Sequence, residues 1–370
     1  MNIGIDVRVL ERRMTGVGRY LISLLKHLPN VDRVNNYHLF SYNVPYHKNK
    51  FYLHVATGCH LSSKLYSPVW LNFVLPPFLK KYDIDLLFLP NYLAPIKRKK
   101  TKWQSIILIH DVFHKIDNNY HPYLYQKYVD MLLPISIDQC GAIVTNSAHT
   151  KRDIIKFYKF PPEKIFVVHP SADERFKPRV LNRRKRYEFM MRYQLPESFI
   201  LYVGVIENRK NIIGILHISD ILRHKGIEIP IILVGTLGFG SDRIINEIKK
   251  RHNVFYLSYI ENKFLPYFYN TAKLFLFPSF YEGFGIPPLE AMKSGLPVLA
   301  SNTSSLPEVI EDAGIMHHPK DYESFAKDID KLLTDKTLYE EMSKKAIMQA
   351  EKFDAKKSAK KLAEVFEKLT

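Results

Sequence analysis

The segment that most constrains the fold lies at residues 274–292, which read LFLFPSFYEGFGIPPLEAM. Its first four residues are continuously apolar, which is typical of a strand buried on both faces of a parallel sheet. A loop with two glycines follows. Pro287 and Pro288 then favour the start of a helix, where a missing N–H costs little. A strand, a loop and a helix in this order form one unit of a doubly wound α/β fold.

Similar apolar runs recur along the chain, with helical patterns between several of them. They are Ile3–Asp6, Leu86–Leu89, Ile106–Ile109, Ala142–Thr145 and Ile165–Val168 in the first half, and Ile200–Val203, Ile231–Val234, Val254–Leu257, Leu274–Phe277 and Val298–Ser301 in the second. A polar stretch between Phe176 and Phe199 separates the two series. We therefore predict two parallel-sheet α/β domains, residues 1–178 and 179–352, followed by a helix within 353–370.

The net charge, the cysteine number and the apolar runs indicate which partners and which compartment to expect. The net charge is +17, and the excess lies in the first half and the middle of the chain. A basic surface of this kind can meet nucleic acid, anionic lipid or a phosphorylated substrate, or can simply be solvated. Because no nucleic-acid-binding motif is present, we expect no nucleic acid partner. Two cysteines, no signal peptide and no apolar run of about 18 residues predict a cytoplasmic protein.

The loop after Phe277 has the features of a nucleotide site. The backbone N–H groups of Phe284, Gly285 and Ile286 are expected at a helix N-terminus, where direct donors and the helix dipole bind phosphate. We expect Glu290 in the first helical turn, where it can bind a diol such as ribose. Glu282 can hold sugar hydroxyls. The alternative is a loop that merely closes onto a helix, with both carboxylates stabilising its N-terminus.

Two adjacent cations follow the strand Ile200–Val203. Arg209, with its planar fork, and Lys210, as a point charge, suit a pyrophosphate at a strand end. A solvated basic turn is the alternative.

The first half offers two further candidates. Gly16 and Gly18 lie in a turn after the first strand that can approach a phosphate, although Leu21 replaces the third glycine of a dinucleotide fingerprint. His110 follows Ile106–Ile109 and can bind a substrate hydroxyl, with Asp111 helping to orient it. A capping pair is the alternative for His110 and Asp111. A metal pair would lack further ligands.

Three segments are less specific. Residues 235–240, GTLGFG, are expected to form a flexible loop after a strand. Residues 64–81 carry an apolar pattern that fits a core-packed helix or a helix on a membrane surface. The basic run Lys97–Lys100, with Lys102, fits a solvated turn or a contact with anionic lipid.

Together these residues resemble glycosyltransferase family 4, whose members are retaining enzymes of the GT-B fold. The resemblance covers the whole chain. It is carried by the Glu-x7-Glu motif at Glu282 and Glu290, the string Gly283–Met292, the stretch Ser304–Val309, Arg209-Lys210-Asn211, the glycine loop at Gly16 and Gly18, and the active-site histidine at His110.

The resemblance implies two Rossmann-like domains that face a cleft, with the last helix crossing back to the first domain. It places Glu290 at the ribose, Glu282 at the transferred sugar and His110 near the donor sugar. Arg209 and Lys210 would hold the diphosphate. One departure matters, because many members carry Arg where this chain has Val205.

The resemblance also implies an activity. We expect a retaining, metal-independent transferase without a cofactor. It would move a hexose from a GDP- or UDP-linked donor, with GDP-mannose favoured, to a glycan or lipid-linked acceptor in polysaccharide assembly. A peripheral position at the inner face of the membrane is expected as well. Two alternatives remain open. A nucleotide-sugar epimerase of the same fold would need no acceptor, and a non-catalytic subunit would only bind the nucleotide sugar.

Overall fold

The computed structural model describes residues 1–11, 14–43, 51–58, 66–96, 101–117, 120, 122–179 and 182–369. The chain forms two compact units. The first comprises Met1–Lys115, Tyr123–Ser171 and Asp354–Thr370, and the second comprises Ile116–Pro122 and Ala172–Phe353.

The first unit is built on a parallel sheet with strand order β3-β2-β1-β4-β5-β6-β7. Its strands are β1 Asn2–Asp6, β2 Asn36–Ser41, β3 Tyr52–Ala56, β4 Leu86–Leu89, β5 Gln104–Ile109, β6 Ala142–Thr145 and β7 Ile165–Val167. Its helices are α1 Gly16–Val31, α2 Tyr66–Val69, α3 Leu75–Lys81, α4 Tyr123–Gln139, α5 Ala148–Tyr158 and, from the end of the chain, α14 Ala355–Glu367. A π-helical segment, Trp70–Val74, joins α2 to α3.

In this unit, strands β2 and β3 were not predicted. Strand β2 contains His38 and begins and ends with polar residues, so it lacks a continuous apolar run. Strand β3 is the edge strand, with Leu53 and Ala56 exposed. The predicted apolar stripe of α1 is confirmed, since Leu21, Leu24, Leu25 and Leu28 are all buried.

The second unit has a parallel sheet with strand order β10-β9-β8-β11-β12-β13. Its strands are β8 Ile200–Val203, β9 Ile231–Val234, β10 Val254–Leu257, β11 Leu274–Phe277, β12 Val298–Ser301 and β13 Ile315–His317. Its helices are α6 Arg183–Tyr193, α7 Ile212–His224, α8 Ser241–Lys249, α9 Leu265–Thr271, α10 Ile286–Lys293, α11 Leu306–Ile310, α12 Tyr322–Thr334 and α13 Lys336–Glu351.

Strand order reverses beside β8, which pairs with both β9 and β11. In open α/β sheets ligands bind outside the carboxyl ends of the strands at such a switch point. The two most specific predicted motifs follow β8 and β11, so the fold brings them to this position.

The compact units begin and end at other residues than the predicted domains. Ala172 and Phe176 are buried in the hydrophobic core of the second unit, which also includes Ile116–Pro122 and ends at Phe353. The last helix packs in the first unit, where Leu362 and Phe366 are buried in the same core as α1. The Phe366 ring lies 5.7 Å from that of Phe88.

The segment that joins α2 to α3 has two different faces. Trp70, Leu71 and Leu75 are buried in the core of the first unit, whereas Phe73 is 58% exposed. Lys64 and the run Lys97–Lys100 lie outside the described residues. Within the described part of the chain, no helix is long and apolar enough to cross a bilayer.

Candidate active site

The turn after β8 positions two cations. A short 3-10 turn, Asn208–Lys210, is closed by Asn211, which adopts a left-handed conformation with φ of 54°. The Asn211 amide donates to the carbonyl oxygens of Pro278 (3.0 Å) and Pro319 (2.7 Å), and its oxygen caps α7 at Gly214 N–H. Asn211 therefore fixes the turn from both sides, and Arg209 and Lys210 project from a rigid backbone.

The loop after β11 is held by hydroxyl groups from the stretch that follows β12. The Glu282 N–H donates to Ser304 Oγ at 2.9 Å. The Ser305 hydroxyl lies 2.9 Å from the carbonyl oxygens of both Glu282 and Phe284, and Thr303 Oγ1 donates to the carbonyl of Phe280. These contacts give a physical role to the predicted stretch that begins at Ser304, because it sets the backbone of the loop that carries Glu282.

Four charged side chains lie close together where the turn after β8 meets the loop after β11. Lys210 Nζ lies 2.6 and 2.7 Å from the two carboxylate oxygens of Glu282. Arg209 donates to the carbonyl of Tyr281 at 2.8 Å and lies 3.4 Å from Glu282 Oε2. Its other terminal nitrogen donates to Glu207 Oε1 at 2.7 Å. We call Glu207, Arg209, Lys210 and Glu282 the ion quartet. Its two cations and two carboxylates balance.

Because the ion quartet is largely shielded from solvent, each of its charges affects the pKa of its neighbours. Burial lowers the pKa of Lys210 and Arg209 adds to this, while Glu282 and Glu207 oppose it. Burial acts to raise the pKa of Glu282, but the charges of Lys210 and Arg209 outweigh it and hold that pKa below its usual range. Glu282 is therefore ionised near neutral pH, and the proton of Lys210 is held less firmly than on an exposed lysine.

No role was predicted for Glu207. Its position two residues before Arg209, in a turn after a buried strand, could have indicated a functional role, but glutamates in turns are common. No role was predicted for Tyr120 either, which lies in the segment Ile116–Pro122 of the second unit. Burial and Asp117 raise the pKa of Tyr120 and Arg209 opposes them, so the phenol lies within electrostatic range of that guanidinium.

Glu290 differs from its predicted position. Helix α10 begins at Ile286, so Glu290 lies in its second turn rather than its first. It is 1% exposed, and its Oε2 accepts a hydrogen bond from the Tyr269 hydroxyl at 2.9 Å. Gly285 precedes the helix with φ of 112°, and a Cβ atom there would lie 2.8 Å from Leu306 Cδ2. Phe284 is buried, and its ring lies 5.5 Å from that of Phe353.

The glycine-rich loop at 235–240 is tied to the turn after β8. Leu237 forms a parallel bridge with Ile206, and the Gly238 N–H donates to the Ile206 carbonyl at 2.9 Å. Gly235 has φ of 156°, and a Cβ atom there would lie 1.8 Å from the Gly204 carbonyl oxygen. Only glycine allows the two loops to approach this closely.

In the first unit, the predicted glycine turn belongs to a helix. Thr15 caps α1, with its hydroxyl accepting from Gly18 N–H at 3.4 Å, so Gly16 and Gly18 lie in the first helical turn rather than before it. A Cβ atom on Gly18 would lie 2.9 Å from Met14 Sδ. Both glycines nevertheless follow β1, which pairs with β2 and β4 at the switch point of this sheet.

His110 is buried at the carboxyl end of β5. Its Nε2 lies 2.8 Å from the Pro90 carbonyl oxygen, which can only accept, so this nitrogen carries a proton. Burial lowers the pKa of His110 against the opposing effects of Pro90 and Asp111, and the ring is neutral at pH 7 with Nδ1 as an acceptor. Asp111 accepts a hydrogen bond from Tyr92, so Pro90 rather than Asp111 orients the ring.

The structure therefore brings Arg209, Lys210 and Glu282 together within the second unit, with the N-terminus of α10 on the same loop. In the first unit, the Tyr20 ring of α1 lies 6.2 Å from the His110 ring. Among the described residues, no group of three or more His, Cys, Asp and Glu side chains could hold a metal ion.

Comparison with known proteins identifies both halves of the chain. Residues 14–176 match the model described as Glycosyltransferase Family 4, and residues 188–349 match the model described as Glycosyl transferases group 1. The chain is 29% identical over 371 residues to O-antigen chain mannosyltransferase B of Escherichia coli, covering 95% of this chain and 96% of that protein.

Solved structures share the fold. Sucrose-phosphate synthase from Thermosynechococcus elongatus superposes with a TM-score of 0.78 and 18% identity, covering 100% of this chain and 98% of that one. Anabaena HepE, in complex with UDP-glucose, superposes with a TM-score of 0.73 and 15% identity over 100% of both chains. The chain is thus a glycosyltransferase of the GT-B fold, with a family 4 domain followed by a group 1 domain.

Proposed function

We propose that this glycosyltransferase moves a mannosyl group from GDP-mannose to a glycan or lipid-linked acceptor in polysaccharide assembly, with retention of anomeric configuration. The observation that carries the proposal is the ion quartet, whose cations lie at the switch point of the sheet where a diphosphate is expected. The name of the E. coli relative, an O-antigen chain mannosyltransferase, supports the choice of sugar and of pathway class.

The proposed chemistry uses the residues of the second unit. The acceptor hydroxyl oxygen bonds to C1 of the sugar, and the bond from C1 to the diphosphate breaks with its electron pair on the diphosphate oxygen, which takes up the hydroxyl proton. Negative charge grows on that phosphate. Arg209, Lys210 and the N-terminus of α10 face this charge in a buried site, where one such contact contributes about 2.7–4 kcal/mol.

The ion quartet supports a role for Glu282 at the sugar. Lys210 binds both of its oxygens, so the carboxylate is held still and charged. When a diphosphate draws Lys210 and Arg209 towards itself, Glu282 gains acceptor capacity for sugar hydroxyls. The cations also supply the charge stabilisation that a metal would otherwise give, and we propose that transfer needs neither metal nor cofactor.

The donor can be identified by binding. We expect GDP-mannose to raise the melting temperature of the full chain more than UDP-glucose or UDP-galactose at equal concentration, because a ligand stabilises the state that it binds. Equal shifts with all donors, or none, would contradict the choice of donor. Incubation with donor and acceptor should release GDP only when the acceptor is present, whereas an epimerase would change the sugar without an acceptor.

A membrane role is also proposed, at the inner face of the membrane. Val69, the last residue of α2, is 43% exposed, and Phe73, in the segment that joins α2 to α3, is 58% exposed; the exposed Lys80 and Lys81 follow. Apolar side chains beside lysines suit an anionic bilayer surface. Phe73→Ser should weaken binding to vesicles of anionic lipid, and added salt should weaken it further. Leu53→Ser, which removes a leucine of β3 that is 50% exposed, is the matched control.

A further inference from the structure

Glu207 combines a backbone and a side-chain role in the turn that carries the cations. Its carbonyl accepts the N–H of Lys210 at 3.1 Å. Its carboxylate accepts from Arg209 at 2.7 Å, and the two side chains are 15% and 13% exposed. An ion pair this sheltered is screened far less by salt than a surface pair. The Glu207 carboxylate therefore stays paired with Arg209 and is not screened as a solvated surface charge would be.

The loop at 235–240 confines this carboxylate. A Cβ atom on Gly238 would lie 3.0 Å from Glu207 Oε2 and 2.5 Å from Val205 Cγ1. The bridge between Ile206 and Leu237 holds the loop in this position. The Glu207 side chain therefore lies between the loop and Arg209 and has little room to leave the guanidinium.

The two carboxylates of the ion quartet differ in what they can do. Glu282 is on the loop that carries the proposed sugar contacts, so its charge is available to the donor sugar. Glu207 is confined next to Arg209, and its charge stays with the cation. A diphosphate therefore meets a pair of cations of which one remains partly neutralised.

We propose that Glu207 is a positioning residue that limits how tightly Arg209 and Lys210 hold the nucleoside diphosphate product, so that it leaves after transfer. This inference rests on the proposed function. After the bond to the sugar breaks, the terminal phosphate has one more ionisable oxygen than in the nucleotide sugar. Cations without a counter-charge would favour this product over the donor, and Glu207 reduces that preference.

The test is nucleotide binding by the full chain, measured by calorimetry with GDP and with UDP. Glu207→Gln keeps an oxygen that can accept from Arg209 but removes the charge. We expect it to bind the preferred nucleotide about tenfold more tightly than the wild type, equivalent to about 1.4 kcal/mol. Turnover should fall, because product release becomes slower. Glu207→Asp keeps the charge and should stay within about threefold of the wild type.

A matched control separates this effect from a general change of charge. Glu228 is exposed and precedes β9, so it lies at the amino end of that strand. The turn that carries Glu207 lies at the other edge of the sheet, where the parallel strands end. Glu228→Gln removes the same charge and should leave nucleotide affinity and turnover unchanged. Melting temperatures of the three variants establish that each is folded.

The pH dependence gives a second readout that a purely structural role would not move. Lys210 must carry its proton to bind a diphosphate, so affinity is lost as the pH rises through its pKa. The charged groups that act on Lys210 are Arg209, which lowers its pKa, and Glu282 and Glu207, which raise it. Glu207→Gln should therefore move the alkaline loss of affinity to lower pH, and Glu207→Asp should not.

Two results would overturn the inference. One is nucleotide affinity of Glu207→Gln that is equal to or weaker than that of the wild type and of Glu228→Gln. The other is an alkaline loss of nucleotide affinity that occurs at the same pH in Glu207→Gln as in the wild type. If the wild type bound neither GDP nor UDP, the proposed function itself would fail and this inference with it, whereas normal binding with no difference between variants would remove only the role of Glu207.

Discussion

Replacing Lys210 with methionine would test whether the ion quartet is a coupled unit. The substitution keeps a long, flexible side chain in place but removes the charge. Glu282 would keep the 3.4 Å contact with Arg209, its interaction with the Ser279 hydroxyl and the hydrogen bonds of its backbone, in a site where its side chain is 8% exposed. A buried carboxylate would thus lose the partner that binds both of its oxygens.

The expected cost follows from the geometry. Removing one partner of a buried ion pair costs about 3–5 kcal/mol, because an uncompensated charge stays behind. The remaining contact with Arg209 places Lys210→Met near the lower value, at about 3 kcal/mol. For domains of comparable size, each kcal/mol lowers the melting temperature by about 2–4 °C. We therefore expect a decrease of about 6–12 °C in the transition that reports the second unit.

The reverse change should cost less. In Glu282→Gln the buried Lys210 can release its proton, because burial and Arg209 already lower its pKa. We expect a loss of about 1–2 kcal/mol, in the range of an unpaired neutral polar group. The double variant Lys210→Met/Glu282→Gln should be more stable than Lys210→Met alone, since it leaves no unpaired carboxylate.

The assay is chemical and thermal unfolding followed by circular dichroism, with transfer activity measured in parallel. Lys273→Met removes an exposed lysine of the same unit and should change stability by less than about 0.5 kcal/mol. The reasoning would be refuted by a loss below about 1 kcal/mol in Lys210→Met, or by a double variant whose loss equals the sum of the two single losses.

Three further outcomes are expected. The transfer rate should fall as the pH drops through the pKa of His110, which burial lowers from 6.5, and this acid limb should be absent in His110→Gln if the neutral ring is needed. Tyr269→Phe removes the 2.9 Å hydrogen bond to Glu290, and unfolding measurements should show a loss of about 1–3 kcal/mol together with a higher KM for the donor. Transfer by protein treated with EDTA should stay within about twofold of the untreated rate, and a loss that Mg²⁺ or Mn²⁺ restores would contradict a metal-free reaction.

The parts of the fold that the sequence predicts are those set by local patterns. Continuous apolar runs such as Leu274–Phe277 are typical of strands buried on both faces, and the glycines and prolines after them mark loops and helix starts. Strands β2, β3 and β13 were not predicted, because none contains a continuous apolar run of four residues. They are fixed by pairing with neighbours, β2 with β1, β3 with β2 and β13 with β12, which their own composition does not show.

In the site as well, residue types were predictable from the sequence but the contacts between them were not. Arg209, Lys210 and Glu282 were predicted separately, from strand ends and residue type, whereas their pairing depends on the switch point that places β8 beside β11. Glu290 accepts a hydrogen bond from Tyr269, which lies on a different helix. Gly16 and Gly18 were assigned to a turn after the first strand that can approach a phosphate, but Thr15 caps α1 there and the helix begins at Gly16.

The position of α14 has a consequence for the order in which the protein is made. The core of the first unit includes Leu362 and Phe366, which the ribosome adds only after every residue of the second unit. A nascent chain that has reached Phe353 holds all the residues of the second unit, while α1 still lacks the helix that covers it. We infer that the second unit can complete its core during synthesis, and that the first unit, although it is translated earlier, reaches its native packing last.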